Sequence, residues 1–557
     1  MHRHRMTFST CARLIFAGLL ASCAALDDAD PQAAQAAGLA QGATDAAADR
    51  AAFAATDDGV VRGIATATTR EFRGIPYAAA PVGELRWQPP QPHARWTTVL
   101  DATQFANHCP QPFGAFGRAT DTEDCLFLNV VTPNRGPDAR DAPHAPDARD
   151  GHGLSPVMVW IHGGALVTGE SDDYDPTQLV AQGDVIVVTI NYRLGALGFL
   201  AHPTLTAESP DHASGNYGLM DQQEALRWVA RNIVRFGGDP SRVTIFGESA
   251  GGLSVHSQLA SPGSHGLFHR AIVESGAYQL ALPDLATGEA AGAAFAAGAG
   301  CADQSAACLR GLSVAQVLAA ASAGPGASPV IDHKVLTQSI GAAFATGQFN
   351  RVPVIEGANH DEWRLFVAGA ELVTGPLTAA GYPFAIQATL GVPAATAGFL
   401  ATVYPAAAFP SPSLALSALG TDAIFTCNAR FAAQQLSQFV PTFAYEFGDE
   451  QAPQRFLPPV SFPYGSAHAS EIQYLFGLPV AVPAPALDAG QQQLSAAMID
   501  YWTTFARTGQ PSSFATPFWA PYQTSSDTMQ ALVPVAPRPE TGFAADHKCA
   551  FWDSLRR

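Results

Sequence analysis

The sequence predicts an α/β fold in which a large, mostly parallel central sheet is covered by helices on both faces. Three observations lead there. Short, continuous apolar runs recur along the chain, the form taken by strands buried on both sides. Segments of helical periodicity lie between them. The composition, 47 % hydrophobic and only 14 % charged over 557 residues, belongs to a packed chain rather than a disordered one.

In chain order the strand candidates are Leu126–Val131, Val157–Ile161, Val185–Ile190, Val243–Phe246, Ala271–Val273, Val352–Ile355 and Thr442–Phe447. The clearest helix runs from Leu219 to Phe236, where Leu226, Val229, Ile233 and Phe236 return at helical spacing. Gly237-Gly238-Asp239-Pro240 then supplies residues suited to a C-cap and a turn. The stretch from Asn134 to Ser155 is almost wholly Pro, Asp, Arg, Gly, Ala and His and reads as a surface loop between two strands.

The N-terminus reads as an export signal. His2, Arg3, His4, Arg5 and Arg13 precede the apolar run 14–21, which is shorter than the ~20 residues of a membrane-spanning helix. Residues 1–22 are therefore assigned to a signal peptide, 23–57 to a flexible Ala- and Asp-rich tether, and 58–557 to a single domain. Export places the cysteines in an oxidising compartment. Six lie beyond the signal region: Cys109, Cys125, Cys301, Cys308, Cys427 and Cys549. Spacing alone leaves their pairing open. A net charge of −18 argues against a nucleic-acid-binding surface, which needs clustered Lys and Arg.

The chemistry is concentrated in a few motifs. Gly247-Glu248-Ser249-Ala250-Gly251 is a G-x-S-x-G directly after a β-branched strand and directly before a helical segment. A serine at such a turn is held out of the sheet, at a helix N-terminus whose positive potential suits developing negative charge. Upstream, a strand ends in His162-Gly163-Gly164. The amides of Gly163, Gly164 and Ala250 are the candidate donors to an oxyanion. A serine nucleophile needs a base and an orienting acid. His468, in a downstream loop, is the candidate base, and Asp361 or Glu362, in an acidic loop after a strand, the candidate acid.

Ordered blocks carry a resemblance. Gly74-Ile75-Pro76-Tyr77-Ala78, Glu123-Asp124-Cys125-Leu126, Asn216-Tyr217-Gly218-Leu219 through Gly252, Leu267-Phe268-His269-Arg270 and Tyr501-Trp502-Thr503-Thr504-Phe505 together resemble the type-B carboxylesterases, which include the cholinesterases. The likeness runs from about Val60 to Trp552 and implies an α/β-hydrolase fold. It implies a Ser249–His468–Glu362 triad, which favours Glu362 over Asp361, with Ser275 as a supporting serine. Trp363 departs from the family pattern, where glycine is common. The resemblance further implies the pairings Cys109–Cys125, Cys301–Cys308 and Cys427–Cys549 and a structural ion pair between Arg86 and Glu123.

The implied activity is hydrolysis of small-molecule carboxylic esters through an acyl-enzyme, with no metal and no organic cofactor. The competing readings are a catalytically silent binding module on the same fold, or a lipase or amidase using the same triad. Family members that bind choline esters stack the ammonium on a Trp in the first disulfide loop; here that loop carries Phe113 and Phe116 but no Trp. Finally, Leu20-Ala21-Ser22-Cys23 resembles the lipobox of bacterial lipoproteins, implying acylation of Cys23 and membrane anchoring.

Overall fold

The apolar runs assemble into one sheet. The computed structural model describes residues 50–114, 117–135, 153–322, 327–479 and 481–556. Residues 1–22, Cys23, most of the expected tether, Phe116 and the middle of the polar loop lie outside them.

The strands, in chain order, are β1 (Arg50–Ala55), β2 (Val60–Ala65), β3 (Thr69–Pro76), β4 (Leu100–Asp101), β5 (Phe127–Pro133), β6 (Ser155–Ile161), β7 (Ile186–Ile190), β8 (Gly238–Glu248), β9 (Arg270–Glu274), β10 (Val354–Asn359), β11 (Thr442–Phe447), β12 (Met529–Leu532) and β13 (Arg538–Glu540). Among the described residues they form a 13-stranded sheet in the order β1-β2-β3-β5-β7-β6-β8-β9-β10-β11-β12-β13, with β4 beside β2. From β7 through β12 every pairing is parallel; antiparallel strands close both edges.

The pleat divides the core. Val157, Val159 and Ile161 of β6 face one side with Leu226, Val229 and Leu253 from the helices Tyr217–Asn232 and Ala250–Ala260. Met158 and Trp160 face the other with Leu494, Met498, Trp502 and Phe505 of the helix Ala489–Thr508. Continuous apolar strands are thus explained: both faces are covered. The helix expected over 219–236 is α-helical over Tyr217–Asn232 and tightens to a 3₁₀ turn over Ile233–Phe236. It ends at Gly237 with φ 92°, while Gly238 already belongs to β8.

Two boundaries need correction. The stretch expected as tether up to residue 57 contains β1, which pairs with β2 from Arg50↔Ala65 to Ala55↔Val60. Its alanines read as low complexity, yet Ala52 and Ala54 are buried against the sheet's core. The strand expected over Val352–Ile355 lies further on, at Val354–Asn359. Between β10 and β11 the chain builds a set of helices that local patterning did not anticipate, including Arg364–Thr374, Tyr382–Leu390, Ala394–Val403 and Pro412–Gly420.

Candidate active site

The candidate residues gather at the carboxyl ends of the parallel strands β6, β8, β9 and β10, where an open α/β sheet leaves room for a ligand. β8 ends at Glu248 and the next helix begins at Ala250, leaving Ser249 alone at the turn with φ 55° and ψ −118°. A positive φ is strained for a residue with a Cβ, and such strain persists only where neighbours over-determine it. Here Ser249 N–H donates to Glu274 O (2.9 Å) and Leu253 N–H donates to Ser249 O (2.8 Å). The close packing of strand and helix demands the flanking glycine: a Cβ on Gly251 would stand 1.9 Å from Ile161 O.

Glu362 and His468 meet above β10. His468 Nδ1 donates to Glu362 Oε2 at 2.5 Å, and Glu362 Oε1 accepts from Ser275 Oγ (2.5 Å) and from the Asn359 amide (2.8 Å). Three donors thereby hold one buried carboxylate. The structure separates the two acids left open by the local pattern. Asp361 turns away, pairing with Arg364 (2.8 Å) and accepting from the Ser466 amide (3.1 Å). The His468 ring packs against both Phe366 (5.2 Å between centroids) and Phe425 (4.9 Å).

The Gly163-Gly164 turn covers the serine. A Cβ on Gly163 would stand 3.2 Å from Ser249 Cβ, and Gly164 has φ 95°. The Gly163 amide donates to the Tyr174 hydroxyl oxygen, whereas among the described residues no acceptor takes the amides of Gly164 and Ala250, leaving these two N–H groups available beside Ser249. Burial pushes His162 down to about 4, so its ring is neutral. That ring stacks on Tyr192, whose hydroxyl donates to His162 O at 2.8 Å. The Cys109–Cys125 disulfide closes a loop that docks here, through a reciprocal bond pair between Gln111 and Gly169.

Sequence reasoning missed Glu248 as a member of the site. Its Oε1 lies 3.1 Å from His468 Nε2, yet neither atom makes a hydrogen bond. Burial, then the charges of Glu362 and Glu274, push the Glu248 carboxyl well above its ordinary value. Glu274, pushed to about 7 by burial against the opposing bond from Trp502, and Glu471, raised by burial and by Glu248, complete a buried acidic group. Glu248 stands within the motif as a variable position, and the strand directions that bring Glu274 and Glu471 to it are not local information.

Among the described residues, two clusters outside the site bring His and carboxylate atoms within 4.8 Å: His360, Glu446 and His547, and His108, Glu170 and Asp172. In the first, both His547 nitrogens already hold carboxylates, Asp422 at 2.8 Å and Glu446 at 2.7 Å. In the second, Arg118 bridges Glu170 and Asp172. The Arg86 guanidinium pairs with Glu123 through Nε to Oε1 (2.7 Å), and the remaining disulfides join Cys301 to Cys308 and Cys427 to Cys549.

A parallel sheet carrying a serine on a strained strand-to-helix turn at its carboxyl edge defines the α/β-hydrolase fold. The chain belongs to the carboxylesterase family, which matches residues 50–552. It is 37 % identical to an acylcarnitine hydrolase of Mus musculus over 80 % of each chain. It is 35 % identical to a para-nitrobenzyl esterase of Bacillus subtilis, over 85 % of this chain and 93 % of that protein. Among solved structures, a PNB esterase superposes with a TM-score of 0.72 at 32 % identity, covering 89 % of this chain and 98 % of the other. The protein is a carboxylic ester hydrolase acting on small-molecule esters.

Proposed function

We propose that Ser249, His468 and Glu362 act as nucleophile, base and orienting acid in a two-step hydrolysis. Ser249 Oγ attacks the ester carbonyl carbon while His468 Nε2 takes its proton; the carbonyl oxygen becomes an oxyanion facing the amides of Gly164 and Ala250, with Gly163 free to join them only by releasing Tyr174. Collapse of this intermediate breaks the C–O bond, and His468 returns the proton to the departing alcohol. Water, deprotonated by His468, then attacks the acyl-serine, releasing the acid and restoring Ser249. Glu362 holds the Nδ1–H tautomer and stabilises the imidazolium formed in each step.

The observation that carries this reading is the 2.5 Å bond from His468 Nδ1 to Glu362, beside the serine turn. It leaves Nε2 as the free nitrogen. Catalytic hydrogen bonds are often long until substrate arrives, so the unpartnered Nε2 of the resting site is compatible with this role. The test is Ser249→Ala: p-nitrophenyl acetate hydrolysis should fall by at least about 10³-fold with the fold unchanged. Retention of most activity overturns the assignment. The first disulfide loop lacks a Trp on which a quaternary ammonium could stack. Butyrylthiocholine should therefore be turned over at least about tenfold less efficiently than simple aryl esters; equal efficiency contradicts this.

Export and anchoring rest on the N-terminal sequence: the basic region, the apolar run and Cys23 in a lipobox-like setting. We propose that Cys23 is acylated and tethers the enzyme to a membrane. Stable anchoring takes more than one chain. Fractionation of cells producing the parent or Cys23→Ala tests it. Parent protein found soluble, with an N-terminus beyond Cys23, overturns the anchor.

A further inference from the structure

Between Glu371 and Asp422 the chain carries no Asp, Glu, Lys, Arg or His. At the chain's own 14 % charged residues, these 50 positions would hold about seven. They form the helices Tyr382–Leu390, Ala394–Val403 and Pro412–Gly420, which pack on one another through Ile386, Leu390, Leu400, Leu416 and Leu419. Everything this cap exposes is uncharged, and part of it is strongly apolar: Phe384 is 73 % exposed, Phe399 55 % and Val373 51 %. Water around such groups is a standing free-energy cost unless something covers them.

The cap's attachment gives this surface a function. It leaves the site just after Phe366, on the helix Arg364–Thr374, and returns through the π-turn Thr421–Thr426, which carries Phe425. Both rings lie against His468. Whatever docks on the cap is therefore delivered next to the ester-hydrolysing site.

We infer that the cap is a docking surface for a neutral, zwitterionic lipid interface, on which the enzyme lies to take up lipid-borne esters. Charge selects this occupant. A protein of net charge −18 is repelled by an anionic membrane; the cap segment itself has no Lys or Arg, and Lys548, stacked over Tyr404 at 4.8 Å, adds a single positive charge against that repulsion. An uncharged surface leaves no charge to desolvate at a zwitterionic headgroup layer while its phenylalanines enter the acyl boundary. The helices lie on the surface rather than span it. No single described helix is long and apolar enough to cross a membrane, and Tyr382–Leu390 with Ala394–Ala408 matches the apolarity of a span only as a pair bent by 111°.

The test is co-sedimentation of the full chain, carrying Cys23→Ser to remove the acylation site, with phosphatidylcholine vesicles. A second protein adds Phe384→Ser and Phe399→Ser. The apolar N-terminal run is common to both, so their difference belongs to the cap. The parent should bind, and the added substitutions should lower its partition coefficient at least about tenfold. Hydrolysis of p-nitrophenyl acetate should stay within about twofold; if it does not, Leu372→Ser with Val373→Ser should produce the same loss of binding. Binding is read without any ester, so it stands or falls separately from the triad. Absence of parent binding, equal binding by the variants, or binding that requires anionic lipid overturns the inference. So does a parent dimer that the substitutions dissociate, which would make a second copy the occupant.

Discussion

Glu248 sits one position before the nucleophile, buried, with one oxygen 3.1 Å from His468 Nε2 and unbonded. Burial raises the carboxyl well above its ordinary value, and the charges of Glu362 and Glu274 add to the effect. Glu248 therefore holds its proton to higher pH than an ordinary glutamate. Glu248→Gln keeps the shape of the protonated acid, so kcat/KM for a neutral aryl ester at pH 7 should fall by less than about tenfold. Stability gives the sign of the second effect. The folded state binds this proton more tightly than the unfolded chain, so stability declines as pH rises above the ordinary value of about 4.5. The Gln variant lacks that loss, and its Tm advantage over the parent should widen from pH 5 to pH 8. An advantage that shrinks over that range contradicts an upward-shifted Glu248.

The catalytic-acid loop and the helical cap meet at one contact. Trp363, 1 % exposed, lies flat on Gly420, where a Cβ would stand 2.2 Å from the indole. Its amide donates to Thr421 Oγ1 at 2.9 Å, at the first residue of the π-turn. A bulky residue where the family commonly has glycine is thus accommodated by a glycine on the facing helix. Gly420→Ala should cost about 1–3 kcal/mol by overpacking. Trp363→Ala alone should cost about 3–5 kcal/mol through the cavity it leaves. Combined, they should fall short of additivity by at least about 1 kcal/mol, because the added methyl meets no indole. Urea unfolding of the four proteins measures this, and strict additivity would show that the contact carries no energy.

Across the molecule, the C-terminus is returned to the cap by covalent and ionic means. Cys427–Cys549 spans 122 residues and Cys301–Cys308 only 7. In the chain-entropy model the longer loop contributes about 5 kcal/mol and the shorter about 2.5. Replacing both cysteines of the first pair by Ala should therefore lower unfolding free energy about twice as much as the same change in the second. Next to Cys549, His547 is buried between Asp422 and Glu446. Burial opposes its charge, but the bonds to those two carboxylates push it up to about 10. A histidine raised above its unfolded value of 6.5 contributes fully below that pH and loses its contribution as pH climbs toward 10. The parent's Tm should drop more steeply from pH 8 to pH 10 than that of His547→Gln, which has no imidazolium to lose.

The sequence by itself determined what depends on neighbours along the chain. Strands apolar on both faces appear as continuous runs, so β5 through β9 and β11 were legible, and so was Ser249, because glycine spacing and the strand-to-helix switch are local. β1 was not, since Ala52 and Ala54 reveal burial only once β2 lies beside them. Asp361 and Glu362 are equivalent in local pattern. The fold distinguishes them, because Ser275 and His468 reach Glu362 from 87 and 106 residues away while Arg364 takes Asp361. The buried acids around Glu248 and the seating of Trp363 on Gly420 belong to the same class. Each arises from elements distant in sequence whose spacing is set by packing, and packing is a property of the whole chain rather than of any stretch of it.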